Sequence, residues 1–167
     1  MRLALYEPDI PPNAGTLIRL GACLGVPVDI IEPCGFPFSD RTYRRAGLDY
    51  FDAARIDTHR SWAHFIAAHE AAGAGRMVLL STRAELTYDK FPFARGDTLL
   101  LGRETCGVPE TVHARADARI VIPMVAGVRS LNVAVAGAIV LSEALRQTGL
   151  LPVYSVGQPA GRSAKRE

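Results

Sequence analysis

A single charged side chain, Arg19, lies in the helix that we predict over residues 13–24, and it is the first candidate for chemistry. Arg19 is the only charge between Asp9 and Asp29. A guanidinium binds phosphate and other anions well, and burying it without a partner is costly. Arg19 therefore either contacts an anionic ligand or lies exposed or salt-bridged at the surface.

The second candidate, Glu104, lies in a glycine-containing segment over residues 102–109. This segment follows the apolar run 98–101, and Glu104 is its only carboxylate. Ligands of α/β proteins bind beyond the carboxyl ends of strands, where glycines let backbone amides approach them. Glu104 is thus expected to contact a ligand, and a turn residue or helix cap is the alternative.

The third candidate is a pair of residues, Ser130 and Asn132, at the start of a predicted helix. Arg129 is the only charge between residues 120 and 142, so this helix is apolar on nearly all sides. Such a helix must pack against its own domain, against a second subunit, or against both. Ser130 and Asn132 can either cap the helix or meet a polar ligand.

The elements that would position these residues alternate between strands and helices, which predicts an α/β fold with a mostly parallel sheet flanked by helices. The predicted strands span residues 2–7, 26–32, 53–56, 77–82, 98–101 and 119–122. The predicted helices span residues 13–24, 40–46, 61–72, 109–114 and 132–147. Asn13 and Ser61 are predicted N-caps, and Gly25 and Gly149 are predicted helix ends.

Composition indicates one ordinary globular domain over residues 1–150 and a mobile basic tail over residues 151–167. The 167 residues are 49% hydrophobic and 22% charged, and the net charge of +2 arises within residues 162–167. Net charge alone therefore does not indicate a nucleic-acid partner. The longest apolar stretch is interrupted by Arg129 and Glu143, so we expect no membrane span.

Several common sites are not indicated. The chain has no GxGxxG, GxxxxGK[ST], HExxH or GxSxG motif, which disfavours dinucleotide-binding dehydrogenases, P-loop enzymes and α/β-hydrolases. The three cysteines do not have zinc-ligand spacing. His59, His64 and His69 recur every five residues, which would scatter them around a helix. We therefore expect a metal-free protein in a reducing cytoplasm.

Three segments together resemble the SPOUT superfamily, and specifically its 2′-O-ribose methyltransferases. The matching positions are Asn13-x-Gly15-x3-Arg19, Leu101-Gly102-x-Glu104-x2-Gly107-x-Pro109, and Ile122-Pro123-Met124 through Arg129-Ser130-Leu131-Asn132. Residues 5–8, 10–13, 31–36 and 44–50 resemble the small enzymes of this branch that methylate the tRNA wobble nucleotide. Cys106 and Ala134 differ from the basic residue and the serine that are common at these positions.

The resemblance implies transfer of a methyl group from S-adenosyl-L-methionine to the ribose 2′-hydroxyl of the wobble pyrimidine in tRNA, with leucine tRNAs as expected substrates. It also implies a C-terminal trefoil knot and a homodimer. Two alternatives stay open. The same machinery could methylate ribosomal RNA or another tRNA position, or the chain could be a dimeric RNA-binding module without catalysis.

The resemblance also assigns roles to individual residues. The expected catalytic residues are Arg19, Glu104, Ser130 and Asn132. The expected cofactor-binding residues are Leu80, Gly102, Ile122, Ser130 and Leu131. The basic cluster Arg41, Arg44 and Arg45 is expected to bind the anticodon stem-loop, and a solvated helix face is the alternative.

Overall fold

A six-stranded sheet lies at the centre of the computed structural model, which describes residues 1–37 and 53–153. The strands are β1 (Arg2–Tyr6), β2 (Val28–Ile31), β3 (Ile56–His59), β4 (Met77–Leu80), β5 (Thr98–Leu101) and β6 (Ala118–Ile120). Their order is β3-β2-β1-β5-β4-β6, and every neighbouring pair is parallel. The predicted parallel α/β fold is confirmed, while the predicted knot stays a prediction.

Helices cover both faces of this sheet. Within the described ranges they are α1 (Pro11–Leu24), α2 (Trp62–Ala71), α3 (Glu110–Arg115) and α4 (Val133–Thr148). On one face, α1 and α4 pack against each other in the larger apolar cluster, and on the other α2 and α3 contribute Phe65 and Val112. Because crossover connections put helices on both faces of a parallel sheet, its strands are apolar on both faces.

Strand β5 shows how the two faces are filled. Leu99 and Leu101 belong to the cluster under α1 and α4, and Leu100 belongs to the cluster under α2 and α3. Gly137 of α4 lies against β5, where an added Cβ would come within 2.7 Å of Leu17 Cδ2 and 2.9 Å of Leu101 Cδ1. The missing side chain therefore lets α4 pack closely on α1 and on the end of β5.

Most predicted helix ends are confirmed. The Ser61 hydroxyl accepts a hydrogen bond from the His64 amide at 3.2 Å, and Gly25 and Gly149 end α1 and α4 with φ of 69° and 64°. The predicted N-cap at Asn13 is wrong. Helix α1 begins at Pro11, because proline fits the first turn of a helix, where no amide hydrogen is needed. Asn13 is therefore buried within the first turn.

The predicted strand over 53–56 is also wrong in its position, since β3 spans Ile56–His59. Among the strands of the described ranges, β3 lies at the edge of the sheet and pairs only with β2, so it tolerates the exposed polar residues Asp57 and Thr58. His59 consequently lies on a strand and not on a helix with His64. Its Nε2 is 2.8 Å from Asp29 Oδ1.

Some predictions fall on residues that the structure does not describe. The short helix over 40–46 and the basic cluster Arg41, Arg44 and Arg45 lie outside the described ranges, as do residues 154–167 of the predicted tail. The division into a domain and a mobile tail stays a prediction. None of the described helices is long and apolar enough to cross a membrane.

Candidate active site

A cavity of about 720 Å³ lies at the carboxyl ends of β4, β5 and β6. Leu80, Leu101 and Ile120, the last residues of these strands, line it, and Asn132 and Val133 close it at the start of α4. Parallel sheets bind ligands at this edge, and the volume is typical of a site for a small molecule or cofactor. The strand ends thus position the walls of a candidate ligand site.

All five residues expected to bind the cofactor line this one cavity. They are Leu80, Gly102, Ile122, Ser130 and Leu131. They come from three separate segments that are distant along the chain, and most of them offer aliphatic surface or backbone groups. Such a lining fits a nucleoside group with an apolar ring face, so the residues present fit S-adenosyl-L-methionine.

The loop after β5 is closed by its own backbone. Arg103 and Gly107 exchange two hydrogen bonds of 2.9 Å, and Gly107 has a φ of +71°, which favours glycine. A Cβ added at Gly102 would lie 2.8 Å from the Gly107 carbonyl carbon and 3.0 Å from the Gly107 Cα. Both glycines are therefore needed to form this compact wall of the cavity.

A line of hydrogen bonds joins the three segments singled out in the sequence. The Asn13 amide donates to Glu104 Oε1 at 3.0 Å, and the Asn132 amide donates to Asn13 Oδ1 at 2.9 Å. Asn132 Oδ1 in turn accepts from the Ala134 and Val135 amides at 2.9 and 3.2 Å, which caps α4. We call Glu104, Asn13 and Asn132 the polar bridge. Asn132 thus both caps a helix and belongs to the site.

Asn13 lines the cavity but was not among the expected site residues, because it was interpreted as a helix cap. The signal that could have identified it was its place at the start of the first matching segment. All three members of the polar bridge line the cavity. Burial and the neighbouring carboxyl of Asp9 raise the pKa of Glu104 above its ordinary value.

Arg19 is placed elsewhere. It is exposed on α1, and the described residues that line the cavity do not include it. The structure therefore does not bring Arg19 to the cavity of its own chain. Its catalytic role stays a prediction.

Two charged residues at the cavity were also missed. Arg83 follows β4, Glu110 begins α3, and their side chains form an exposed ion pair of 3.1 Å beside the cavity. Cys106 is exposed and lines the cavity as well. No short sequence pattern marks a pair such as Arg83 and Glu110, since the two residues come from different loops.

Among the described residues, no group of three or more His, Cys, Asp or Glu side chains could hold a metal ion. The polar groups at the cavity are instead amides, hydroxyls, the Cys106 thiol, the half-buried Glu104 carboxyl, the Arg103 guanidinium and the exposed Arg83–Glu110 pair. The arrangement can hold a neutral or weakly polar group against aliphatic walls. Its polar bridge can orient a second reactant beside that group.

A family model described as the SpoU rRNA Methylase family matches residues 1–142. The chain belongs to this family. A SpoU relative from Beijerinckia indica, tRNA (cytidine(34)-2′-O)-methyltransferase, is 59% identical over 149 residues, covering 89% of this chain and 92% of the relative. An enzyme of the same name from Escherichia coli K12 is 39% identical over 151 residues, covering 89% of this chain and 94% of that relative.

Solved structures of similar proteins agree with this SpoU assignment. One, concerned with the 2-OH methylation of C/U34 on tRNA, has a TM-score of 0.80 and 44% identity, covering 87% of this chain and 94% of that chain. Another, an AdoMet-bound rRNA methyltransferase from Sinorhizobium meliloti, has a TM-score of 0.77 and 29% identity, covering 87% of this chain and 55% of that chain. The SpoU fold of this chain therefore has a neighbour that binds the expected cofactor.

Proposed function

We propose that this SpoU methylase transfers the methyl group of S-adenosyl-L-methionine to the ribose 2′-hydroxyl of C34 or U34, the wobble nucleotide, in tRNA. The observation that carries the proposal is the convergence of the five expected cofactor residues on one cavity beside the polar bridge. The high identity to tRNA (cytidine(34)-2′-O)-methyltransferases over nearly their whole length supports the choice of substrate. Leucine tRNAs are the expected isoacceptors.

The cofactor supplies an electrophilic methyl group on its sulfonium. Leu80, Ile122 and Leu131 would hold its adenosyl part against aliphatic surface, and Gly102 and Ser130 would offer backbone and hydroxyl partners. The polar bridge keeps the loop after β5 and the start of α4 at a fixed separation beside the reacting atoms. Most of the acceleration would then come from orienting the ribose hydroxyl toward the methyl group.

The ribose hydroxyl is a poor nucleophile until its proton is drawn away. A guanidinium donates hydrogen bonds and accepts none, so Arg19 would act by orienting the hydroxyl and the adjacent phosphate. An oxygen of that phosphate would accept the hydroxyl proton. The methyl carbon would bond to the ribose oxygen as its bond to sulfur breaks, which leaves S-adenosyl-L-homocysteine. Arg19→Ala should therefore abolish turnover and leave the affinity for S-adenosyl-L-methionine near the wild-type value, as measured by calorimetry.

We propose a homodimer in which Arg19 of each subunit serves the cavity of the other. Apolar side chains exposed around the cavity support this arrangement: Val128 and Leu131 in the loop before α4, Val135 on α4, and Ile10 before α1. Light scattering should then give about twice the chain mass. In addition, mixing Arg19→Ala subunits with Ser130→Ala subunits should restore activity, whereas a site built from one subunit would gain nothing from mixing.

The anticodon stem-loop is the proposed RNA partner, and Arg41, Arg44 and Arg45 are its proposed phosphate contacts. A small protein that depends on few phosphate contacts should lose activity steeply as salt is added. Substituting the three arginines together should weaken RNA binding and leave cofactor affinity unchanged. Since its substrate is tRNA, the enzyme is expected to work in the cytoplasm.

The test is a transfer assay with purified protein, methyl-labelled cofactor, and either unmodified tRNA or ribosomal RNA. The proposal predicts label in tRNA without added metal. Label only in ribosomal RNA would show that the substrate is ribosomal RNA and would contradict the proposed tRNA substrate. Binding of RNA without cofactor binding or transfer would indicate an RNA-binding module.

A further inference from the structure

Asp9 lies in the loop between β1 and α1, and its carboxylate holds the loop that carries Glu104. The Glu104 amide donates to Asp9 Oδ1 at 3.2 Å, and the Asp9 amide donates back to Glu104 Oε2 at 3.1 Å. The Thr105 hydroxyl donates to Asp9 Oδ2, and Arg103 Nε lies 3.6 Å from the same oxygen. Three consecutive residues of one loop thus converge on a single carboxylate that is 10% exposed.

The opposite side of Asp9 is also fixed. Gly35 lies in the segment after β2 and packs directly on Asp9. A Cβ added at Gly35 would lie 2.7 Å from Asp9 Cβ and 2.9 Å from Asp9 Cα. The Gly35 amide donates to the Pro8 carbonyl at 2.9 Å. Asp9 is therefore held between two loops and has little freedom to move away from Glu104.

These contacts hold Glu104 in two ways. Its backbone amide donates to the Asp9 carboxylate. Its carboxyl oxygens accept from the Asp9 backbone amide at Oε2 and from the Asn13 side chain at Oε1. The base of the same loop is closed separately by the two backbone hydrogen bonds between Arg103 and Gly107. Losing the Asp9 side chain would thus remove the acceptors of the Glu104 amide and the Thr105 hydroxyl and loosen the backbone that carries Glu104. The hydrogen bonds at the loop base would stay intact. The two functions of the loop, positioning Glu104 and forming a cavity wall, have different supports.

The protonation preferences of Asp9 and Glu104 agree with these different roles. The hydrogen bond with Glu104 lowers the pKa of Asp9 to about 2, so Asp9 carries the negative charge at neutral pH. Burial and the nearby Asp9 carboxyl raise the pKa of Glu104. Arg103, which also contacts Glu7 at 3.3 Å, balances the ionised Asp9.

We propose that Asp9 is a positioning residue for methyl transfer: it holds Glu104, and through Glu104 the rest of the polar bridge, while taking no part in cofactor binding. The inference rests on the proposed function, because its readout is turnover. The site residues expected from the sequence do not include Asp9. Its role follows from the contacts around its carboxylate.

The experiment compares Asp9→Ala and Asp9→Asn with wild type, measuring kcat on tRNA and calorimetric affinity for S-adenosyl-L-methionine. Asp9→Ala should lower kcat at least about tenfold, since small displacements of a reacting group have effects of this order, and should leave cofactor affinity within about threefold of wild type. Asp9→Asn keeps one oxygen to accept the Glu104 amide, so its kcat should lie between the other two. Asp57→Ala is the control, because Asp57 also pairs with an arginine, Arg2, but on the edge strand β3.

A kcat of Asp9→Ala within about threefold of wild type would overturn the inference. So would a loss of cofactor affinity that matches the loss of kcat, because Asp9 would then build the cofactor site. If Asp9→Ala does not fold, wild-type kcat in Asp9→Asn overturns the inference, and reduced kcat with unchanged affinity supports it. The wild-type assay run beside these variants tests the proposed function separately.

Discussion

Asn132→Ala would remove two interactions at once, and the structure lets their effects be separated. The side-chain oxygen of Asn132 accepts from two amides of the first turn of α4, and its amide donates to Asn13. Losing an N-cap costs about 1 kcal/mol of stability. The Asn13 oxygen, on a side chain that is only 9% exposed, would also lose its donor, which costs about 1 kcal/mol more.

Together these losses predict a free energy of unfolding about 2 kcal/mol lower in Asn132→Ala than in wild type. For a chain of this size, the melting temperature should fall by about 4–8 °C. Asn132→Asp is the matched control, because a carboxylate still caps α4 and suits the positive end of the helix dipole. It loses only the donor to Asn13, so it should be destabilised by about half as much as the alanine variant.

The measurement is urea denaturation at one fixed protein concentration, since dimer formation would make stability depend on concentration. Turnover should fall in both variants, because both break the polar bridge. Equal destabilisation of Asn132→Ala and Asn132→Asp would refute the claim that capping supplies half of the effect. Wild-type turnover in Asn132→Asp would refute the role of the bridge.

Three further outcomes are expected. Gly102→Ala should weaken cofactor binding at least about tenfold by calorimetry, because its Cβ would press on the Gly107 backbone at 2.8 Å; wild-type affinity would contradict the described loop. Ser130→Ala should weaken cofactor binding before it affects RNA binding, and the reverse order would remove Ser130 from the cofactor site. Burial lowers the pKa of His69 below its ordinary value of 6.5. As the pH drops, the imidazole therefore binds a proton more readily in the unfolded state, and the free energy of unfolding should fall between pH 7 and pH 5. In His69→Gln, whose amide can keep the contact with Thr98, the free energy of unfolding measured with urea should fall less over the same pH range. An equal fall in this variant would refute His69 as the cause.

The parallel sheet could be predicted because its central strands are apolar on both faces and read as continuous runs. The predicted strand over 98–101 matches β5 for this reason. Strand β3 was misplaced because an edge strand is covered less completely and accepts polar residues, which weakens the pattern. The helix ends at Gly25 and Gly149 were predictable, since a left-handed C-terminal residue strongly favours glycine.

The candidate site was predictable only in part. The resemblance supplied the residues expected to bind the cofactor, and the structure brings them to one cavity. Local patterns could not show that Asp9 holds Glu104, because the two residues are 95 positions apart and meet only when β1 and β5 pair. The same separation hid the role of Asn13, whose neighbours Pro11 and Pro12 start the helix before it.

The most direct test of the account is to locate the methyl group on the RNA product. Purified protein, methyl-labelled cofactor and unmodified leucine tRNA are incubated without metal, and the product is digested with nucleases and analysed by nucleoside mass spectrometry. Arg19→Ala protein is the inactive control. The account predicts one 2′-O-methylated pyrimidine, at position 34, with wild type only. A methyl group on a base, on a ribose outside the anticodon loop, or only on ribosomal RNA would contradict it.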